Sequence, residues 1–73
     1  MTRTPVVSSN VVSVGYDAAS KTLEVEFNGG AVYQYFGVPS SVHQGLLNAD
    51  SVGSYFSAHV KFSYKYKKTK GGK

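Results

Sequence analysis

A hairpin signal near the middle of the chain restricts the fold more than any other feature. Residues 22–27 alternate between polar and apolar side chains, the period of a strand with one buried face. Asn28-Gly29-Gly30 follows directly, and these residue types tolerate the positive φ of tight hairpin turns. Residues 31–36 are β-prone throughout, so we expect them to form the returning strand.

The length of the hairpin loop decides which way Tyr33 and Tyr35 face. A two-residue loop would put both tyrosines on the open face beside Glu24 and Glu26, as a platform on which bases could stack. A three-residue loop would bury both rings and turn Gln34 outward. We favour the three-residue loop, because it keeps a polar side chain out of the core, and the exposed platform is the alternative.

An alternating segment at 11–17 supplies a third strand before the hairpin. We expect Val12, Val14 and Tyr16 on its apolar face, since these positions lie two apart. Residues 17–20 have the composition of a turn into the next strand. Three strands joined in this order form an antiparallel meander.

Two short helices are expected in the second half of the chain. Ser41 and Gln44 have the spacing of a capping box, which predicts the start of the first helix. Asp50 or Ser51 can cap the second helix. Apolar residues in the second helix recur at every fourth position: Val52, Phe56 and Val60.

These elements predict the α+β class: a three-stranded antiparallel β-meander followed by two short helices packed on one face of the sheet. A short C-terminal strand is possible at 63–66, where alternation returns. We divide the chain into a flexible N-terminus at 1–7, one domain at 8–66 and a disordered basic tail at 67–73.

Positive charge is concentrated at the C-terminal end of the chain. The formal net charge is +4, yet residues 1–60 hold two basic and four acidic residues. Residues 61–73 hold six lysines and no acid. A terminal segment of one sign favours association with polyanions and says little about fold.

The tyrosines and lysines of this C-terminal region form the strongest binding candidate. Lysines can neutralise phosphates while tyrosine rings stack on bases, a combination typical of single-strand binding. A tail that only improves solubility is the alternative interpretation. The candidate nucleic-acid-binding residues are Tyr33, Tyr35, Lys61, Tyr64, Lys65, Tyr66, Lys67 and Lys68.

No catalytic residue, metal site or cofactor is expected, and we predict that the protein is not an enzyme. The chain has no cysteine, and His43 and His59 lack the spacing of metal ligands. Glu24 and Glu26 lie roughly 7 Å apart on one strand face, but a small open sheet offers no deep cleft between them.

The chain is expected to be a cytoplasmic monomer without a membrane segment. Its first residues are polar, unlike a signal peptide, and no apolar run reaches the roughly 18 residues of a membrane span. The absence of cysteine fits a reducing compartment. The expected partner is nucleic acid, with RNA preferred to DNA; the alternative is a protein partner bound at the open sheet face.

Five runs of the sequence together have the pattern of a known domain family. They are Ser8-Ser9-Asn10, Gly15-Tyr16-Asp17, Leu23-Glu24-Val25-Glu26-Phe27, Tyr33-Gln34-Tyr35-Phe36-Gly37-Val38-Pro39 and Asp50-Ser51-Val52-Gly53-Ser54-Tyr55-Phe56. These runs resemble the KTSC domain, named for the C-terminus of some lysyl-tRNA synthetases and also present alone in small bacterial proteins, and Tyr33-Gln34-Tyr35 matches the central tyrosine-x-tyrosine motif of that family. The resemblance covers about residues 8–66, and it implies a single small domain without an established activity. Through the synthetase context it also implies an RNA ligand.

Overall fold

A computed structural model describes residues 3–71, which form five strands and two helices. The strands are β1 (Arg3–Pro5), β2 (Val11–Asp17), β3 (Thr22–Phe27), β4 (Val32–Tyr35) and β5 (Tyr66–Lys70). The helices, α1 (Ser40–Asn48) and α2 (Val52–His59), lie between β4 and β5 in the chain. The strands pair in the order β1-β2-β3-β4-β5, and each neighbouring pair is antiparallel.

The helices cover one face of this sheet, called here the inner face. Apolar side chains from the sheet and from the helical region meet there in one core: Val11, Val14, Leu23, Val25, Tyr35, Val38, Leu46, Val52, Phe56 and Val60. The opposite face, called the outer face, carries the intervening polar residues of the strands. The predicted α+β class is confirmed, and the three predicted strands form the centre of a larger meander.

Both ends of the described chain differ from the sequence prediction. The sequence predicts flexible segments at 1–7 and 67–73, but Arg3–Pro5 pairs with β2 and Tyr66–Lys70 pairs with β4. That prediction is therefore wrong for these two segments, and the last strand begins at residue 66 rather than 63. The edges of a three-stranded meander expose unpaired backbone groups, which a short neighbouring segment can satisfy. Residues 1–2 and 72–73 of the predicted flexible ends lie outside the described residues.

The hairpin has the three-residue loop that the sequence favours. The backbone N–H of Phe27 donates to the Ala31 carbonyl at 2.8 Å. Gly29 and Gly30 have φ of 92° and 94°, which a side chain would disfavour. Beyond the loop, Tyr33 lies opposite Val25 and Tyr35 lies opposite Leu23, so both tyrosines are on the inner face, as predicted.

A β-bulge in β2 overturns one predicted core position. Val11 lies opposite Phe27 and Ser13 opposite Glu26, so Val12 is an extra residue in the strand. Val11 therefore joins the core, while Val12 is 40% exposed and does not share a face with Val14. Simple alternation cannot locate such an insertion, because a bulge shifts the faces by one residue.

The helix starts agree only partly with prediction. Ser51 caps α2, since its Oγ accepts a hydrogen bond from the Ser54 backbone N–H at 3.3 Å. Helix α1 begins after Pro39 without a side-chain cap, so the predicted capping box of Ser41 and Gln44 is not formed. Ser41 lies inside the helix instead, two residues after the cap position at Pro39.

Candidate nucleic-acid interface

An open cleft of about 580 Å³ lies between α2 and the inner face of the sheet. We call it the aromatic cleft, because six rings line it: Phe27, Tyr33, Tyr35, Phe56, Phe62 and Tyr66. Its volume is within the range of clefts that hold small molecules or single nucleotides. The sheet provides most of these rings, because strand alternation directs side chains two residues apart to the same face.

Three tyrosines lie side by side within the cleft. Tyr35 and Tyr66 are opposite each other on β4 and β5, with ring centroids 5.6 Å apart. Tyr33 lies 5.7 Å from Tyr66 and 6.5 Å from Tyr35. The phenyl ring of Phe56 meets Tyr35 edge-on at 5.3 Å, which holds the innermost tyrosine against α2.

The three tyrosines differ in exposure, so they lie at different depths in the cleft. Tyr35 is only 4% exposed and belongs to the core, whereas Tyr33 is half-buried and Tyr66 is 59% exposed. Burial, with smaller contributions from Tyr33 and Tyr66, raises the pKa of Tyr35 to about 12. Tyr35 is therefore neutral near pH 7 and adds no negative charge to the cleft.

The lysines of β5 divide between the two faces of the sheet. Lys68 lies opposite Tyr33 on the inner face, with its Nζ 6.0 Å from the centre of the Tyr33 ring. Lys67 lies opposite Gln34 on the outer face. A β-bulge at Thr69 shifts the register after Lys68 and leaves Lys70 opposite Val32, which is also on the outer face. Alternation in one strand thus assigns neighbouring charges to different surfaces.

A second lysine reaches the cleft from the helical side. Lys61 follows the end of α2 and lines the cleft, with its Nζ 5.4 Å from the centre of the Phe62 ring. Both contacts have the geometry of cation–π interactions. The cleft therefore has an aromatic interior lined by Lys61, while Lys68 contacts one of the cleft rings, Tyr33.

All eight residues that the sequence nominates lie in the described part of the chain, but the structure does not bring them all together. Tyr33, Tyr35, Lys61 and Tyr66 line the aromatic cleft. Lys68 is not among the lining residues, but its ammonium group contacts the Tyr33 ring. Tyr64 packs half-buried against the core, and Lys65 and Lys67 are exposed outside the cleft lining.

Sequence reasoning missed several cleft residues. Phe62 is 87% exposed, and a large apolar residue next to a basic segment is a signal that could have identified it. Phe56 was recognised only as a core residue of α2, although its ring also lines the cleft. Asn10 and Asn28 line the far end, and no local pattern marks them, because their proximity depends on β2–β3 pairing.

The outer face has a different chemistry. Arg3 approaches Glu24 at 2.8 Å and Glu26 at 3.5 Å. The Gln34 amide donates to Glu24 at 3.0 Å, and the Ser13 hydroxyl donates to Glu26 at 3.1 Å. The two carboxylates are thus already bonded within the molecule, and the exposed tyrosine platform considered as an alternative does not form on this face.

Within residues 3–71, no three histidine or acidic side chains come close enough together to hold a metal ion. The same residues contain no helix that is both long and apolar enough to cross a membrane. His43 is half-buried against Tyr16, with ring centroids 5.0 Å apart, and burial lowers the pKa of this imidazole. Glu24 and Glu26 are both paired with Arg3, so their carboxylates are not free to act as an acid–base pair.

The fold and the cleft define a small α+β domain, an antiparallel meander with two helices inserted before its last strand. The profile that describes the KTSC domain matches residues 7–64. A KTSC domain protein from Yersinia pestis has a solved structure that superposes with a TM-score of 0.89 at 38% identity. That match covers 94% of this chain and 97% of the other. The chain therefore belongs to the KTSC domain family.

Relatives of the chain are of two kinds. A protein of Stutzerimonas stutzeri is 49% identical over 61 residues, which are 84% of this chain and 86% of the relative. The lysine–tRNA ligase of Trichormus variabilis is 45% identical over 51 residues, but these are only 9% of the ligase. The ligase of Nostoc punctiforme is similar, at 40% identity over 10% of its length. The chain thus resembles a whole protein in one case and a small part of a much longer one in the others.

Proposed function

We propose that the aromatic cleft binds single-stranded nucleic acid, with RNA preferred to DNA. The observation that carries the proposal is that two lysines contact aromatic rings of the cleft, Tyr33 and Phe62. Lys68 lies over Tyr33 and Lys61 lies over Phe62, while the side chain of Tyr66 is largely exposed to solvent. Rings supply stacking surfaces and ammonium groups attract phosphates, which together are the usual parts of a single-strand site.

A single strand suits the cleft better than a duplex. Duplex bases are stacked on one another and present only their edges, whereas unpaired bases can turn outward and stack on aromatic side chains. Each such stack contributes roughly 1–3 kcal/mol in binding. Tyr66 and Phe62 are exposed enough to receive a base, at 59% and 87%. Tyr35 is too deeply buried for that, but its ring packs against the more exposed rings of Tyr33 and Tyr66.

The preference for RNA draws on the relatives. The lysine–tRNA ligases that contain a similar segment have, by name, a tRNA substrate. A segment that contacts tRNA within a synthetase would need the same combination of stacking and phosphate contacts. The ligation reaction itself is not carried over, because the shared segment is about a tenth of the enzyme.

The remaining parts of the proposal concern setting and role. We propose that the protein binds rather than catalyses, that it acts as a monomer, and that it works in the cytoplasm. The absence of cysteine is compatible with a reducing compartment. Lysines along the edge strand β5 oppose pairing with the same strand of a second copy, which favours the monomer.

An amide-shift titration tests the nucleic-acid site directly. ¹⁵N-labelled protein is titrated with a mixed-sequence single-stranded RNA octamer, the matching DNA octamer and heparin, at about 50 and 200 mM salt. We expect the RNA to shift Tyr33, Tyr35 and Tyr66 and heparin to leave them nearly unmoved. Shifts confined to 61–70 and equal for every polyanion would contradict a site and leave only nonspecific attraction. No shifts at all would favour a protein partner at the uncovered outer face.

Two charge-matched double variants test which lysines hold the strand. Lys61→Ala with Lys68→Ala removes the two lysines that contact cleft rings, and Lys67→Ala with Lys70→Ala removes two lysines from outer positions. Loss of two phosphate contacts should reduce the slope of log affinity against log salt by about 1.4 for a single strand. The outer pair should change the slope by less than half as much. Equal effects would show that only net charge matters.

A further inference from the structure

The last strand, β5, is attached to the sheet mainly through its backbone. All five of its residues are exposed, whereas β2, β3 and β4 each contain buried residues. β5 also lies at the edge of the sheet, where it pairs with β4 alone. An element with few buried apolar contacts and solvent-exposed backbone hydrogen bonds opens at a lower free energy than the core does. β5 is therefore expected to separate from β4 without unfolding of the core.

The aromatic cleft is incomplete without this strand. β5 supplies Tyr66, an exposed ring of the cleft lining, and Lys68, whose Nζ lies over the Tyr33 ring. When β5 separates, Tyr66 loses its position opposite Tyr35, and Lys68 loses its position opposite Tyr33. A single strand then meets only the part of the site that β4 and the helical region provide.

The charge of β5 suits this strand to be held in place by a polyanion. Residues 65–70 contain four lysines and no acidic residue. None of these four lysines takes part in a salt bridge within residues 3–71, so no ion pair there fastens β5 to the sheet. A bound strand whose phosphates meet Lys68 of β5 and Lys61 beyond α2 would connect β5 to the helical region.

We propose that single-stranded nucleic acid regulates its own site by holding β5 in the sheet. In the free protein β5 separates from β4 and pairs again, and the bound strand keeps it paired. The inference rests on the proposed function and adds a conformational step to it. A ligand that contacts β5 together with the rest of the cleft binds the paired form more tightly, and this difference in affinity shifts the equilibrium.

One backbone hydrogen bond reports directly on the pairing of β5. The Phe36 N–H donates to the carbonyl of Lys65, the residue before β5, at 2.9 Å. The Val38 N–H donates to the Lys21 carbonyl at 2.9 Å, and this bond does not involve β5. Phe36 lies outside the cleft lining, so RNA in the cleft does not cover its N–H. The two amides therefore serve as probe and control within one segment.

Hydrogen–deuterium exchange followed by NMR tests the inference, with the single-stranded RNA octamer as the ligand. In the free protein an open population of roughly 0.1–10% gives Phe36 a protection factor of about 10–1,000, and Val38 should be protected at least about ten-fold more. Free RNA at about ten times its Kd should slow exchange at Phe36 about eleven-fold, because a ligand that binds only the paired form reduces opening by that factor. Equal protection of Phe36 and Val38 in the free protein would overturn the inference.

Lys67→Pro and Lys67→Ala provide a second test, because they remove the same charge. Since Phe36 and Lys65 form a hydrogen-bonded pair, the alternation of an antiparallel ladder makes the Lys67 N–H a donor to Gln34 opposite it. Proline lacks this N–H, so Lys67→Pro should abolish the protection of Phe36 and bind RNA at least about ten-fold more weakly than Lys67→Ala. Val38 should stay protected in both variants, which would show that the core is folded. Equal RNA affinity of the two variants, or equal protection of Phe36 in both, would contradict the inference.

The outcomes separate this inference from the proposed function. Fluorescence anisotropy measures binding of the labelled octamer independently of exchange. If the octamer binds and shifts the amides of Tyr33 and Tyr66 but leaves exchange at Phe36 unchanged, the site stands and the coupling to β5 is wrong. If the octamer does not bind the unaltered protein, the proposed function fails and the coupling fails with it.

Discussion

The inner and outer faces of this sheet are both open to solvent in part, but they are built differently. On the outer face, Arg3 forms ion pairs with both Glu24 and Glu26, so the polar groups bond mainly to one another. At the aromatic cleft, Lys61 and Lys68 each contact an aromatic ring, and neither takes part in a salt bridge within residues 3–71. An open surface attracts a ligand when its groups still lack partners. By that criterion the cleft is the better binding candidate.

The largest expected difference between the faces is in stability. Tyr35→Ala removes a core ring that packs on Phe56 and Tyr66, and it should lower the free energy of unfolding by about 3–5 kcal/mol. Gln34→Ala, its neighbour on the outer face, should cost less, about 1.5–2 kcal/mol, since it removes one hydrogen bond to the part-buried carboxylate of Glu24. Urea unfolding monitored by circular dichroism measures both. Similar losses would contradict the assignment of the two faces.

An intermediate effect is expected at alkaline pH, and it belongs to the inner face. The pKa of Tyr35 is raised to about 12 in the folded protein, above its ordinary value of 10.0. The folded state therefore binds this proton more tightly than the unfolded state does. The resulting stabilisation is complete below pH 10.0 and is lost as the pH rises towards about 12.

Tyr35→Phe isolates this contribution, because it keeps the ring and removes the hydroxyl. Stability measured by urea unfolding from pH 9 to 12 should fall less steeply in Tyr35→Phe than in the unaltered protein. Tyr55→Phe, which removes a tyrosine hydroxyl outside the cleft, is the control. Parallel curves for Tyr35→Phe and the unaltered protein would show that the folded state does not hold the Tyr35 proton.

The smallest expected effect concerns the outer face. Arg3→Ala removes the partner of Glu24 and Glu26 and should reduce stability by about 1 kcal/mol or less, because these side chains are partly exposed. The loss should shrink at high salt, where screening weakens the pair. Thermal unfolding at low and high salt measures the change. A loss that does not depend on salt would mean that Arg3 acts through packing of β1 rather than through charge.

Prediction from sequence succeeded where local rules are strong. The hairpin and its loop follow from alternation and from glycines at positive φ, and they place Tyr33 and Tyr35 correctly. The cap at Ser51 follows from the preference of serine for that position. The candidate site was predicted in part, since the tyrosines and lysines were named without the rings of Phe27, Phe56 and Phe62 that accompany them.

Prediction failed where a single inserted residue changes the faces of a strand. The bulge at Val12 moves Val11 into the core, and the bulge near Thr69 fixes which C-terminal lysines turn outward. Neither has a distinctive local composition. Local rules suggested a C-terminal strand at 63–66 but not Tyr66–Lys70, because its lysines are typical of a solvated tail and its backbone bonds come from β4.

The sequence by itself determined that the chain forms a small α+β domain and that its positive charge gathers at the C-terminal end, and it favoured an inward direction for the central tyrosines. These properties depend on period-2 alternation, turn residues and composition, all of which act over a few residues. Only the tertiary structure decided that β5 joins the sheet, that Lys68 and Lys67 face opposite ways, and that Asn10 lies at the end of the cleft. Such arrangements arise from pairing between distant segments, where a shift of one residue exchanges the two faces.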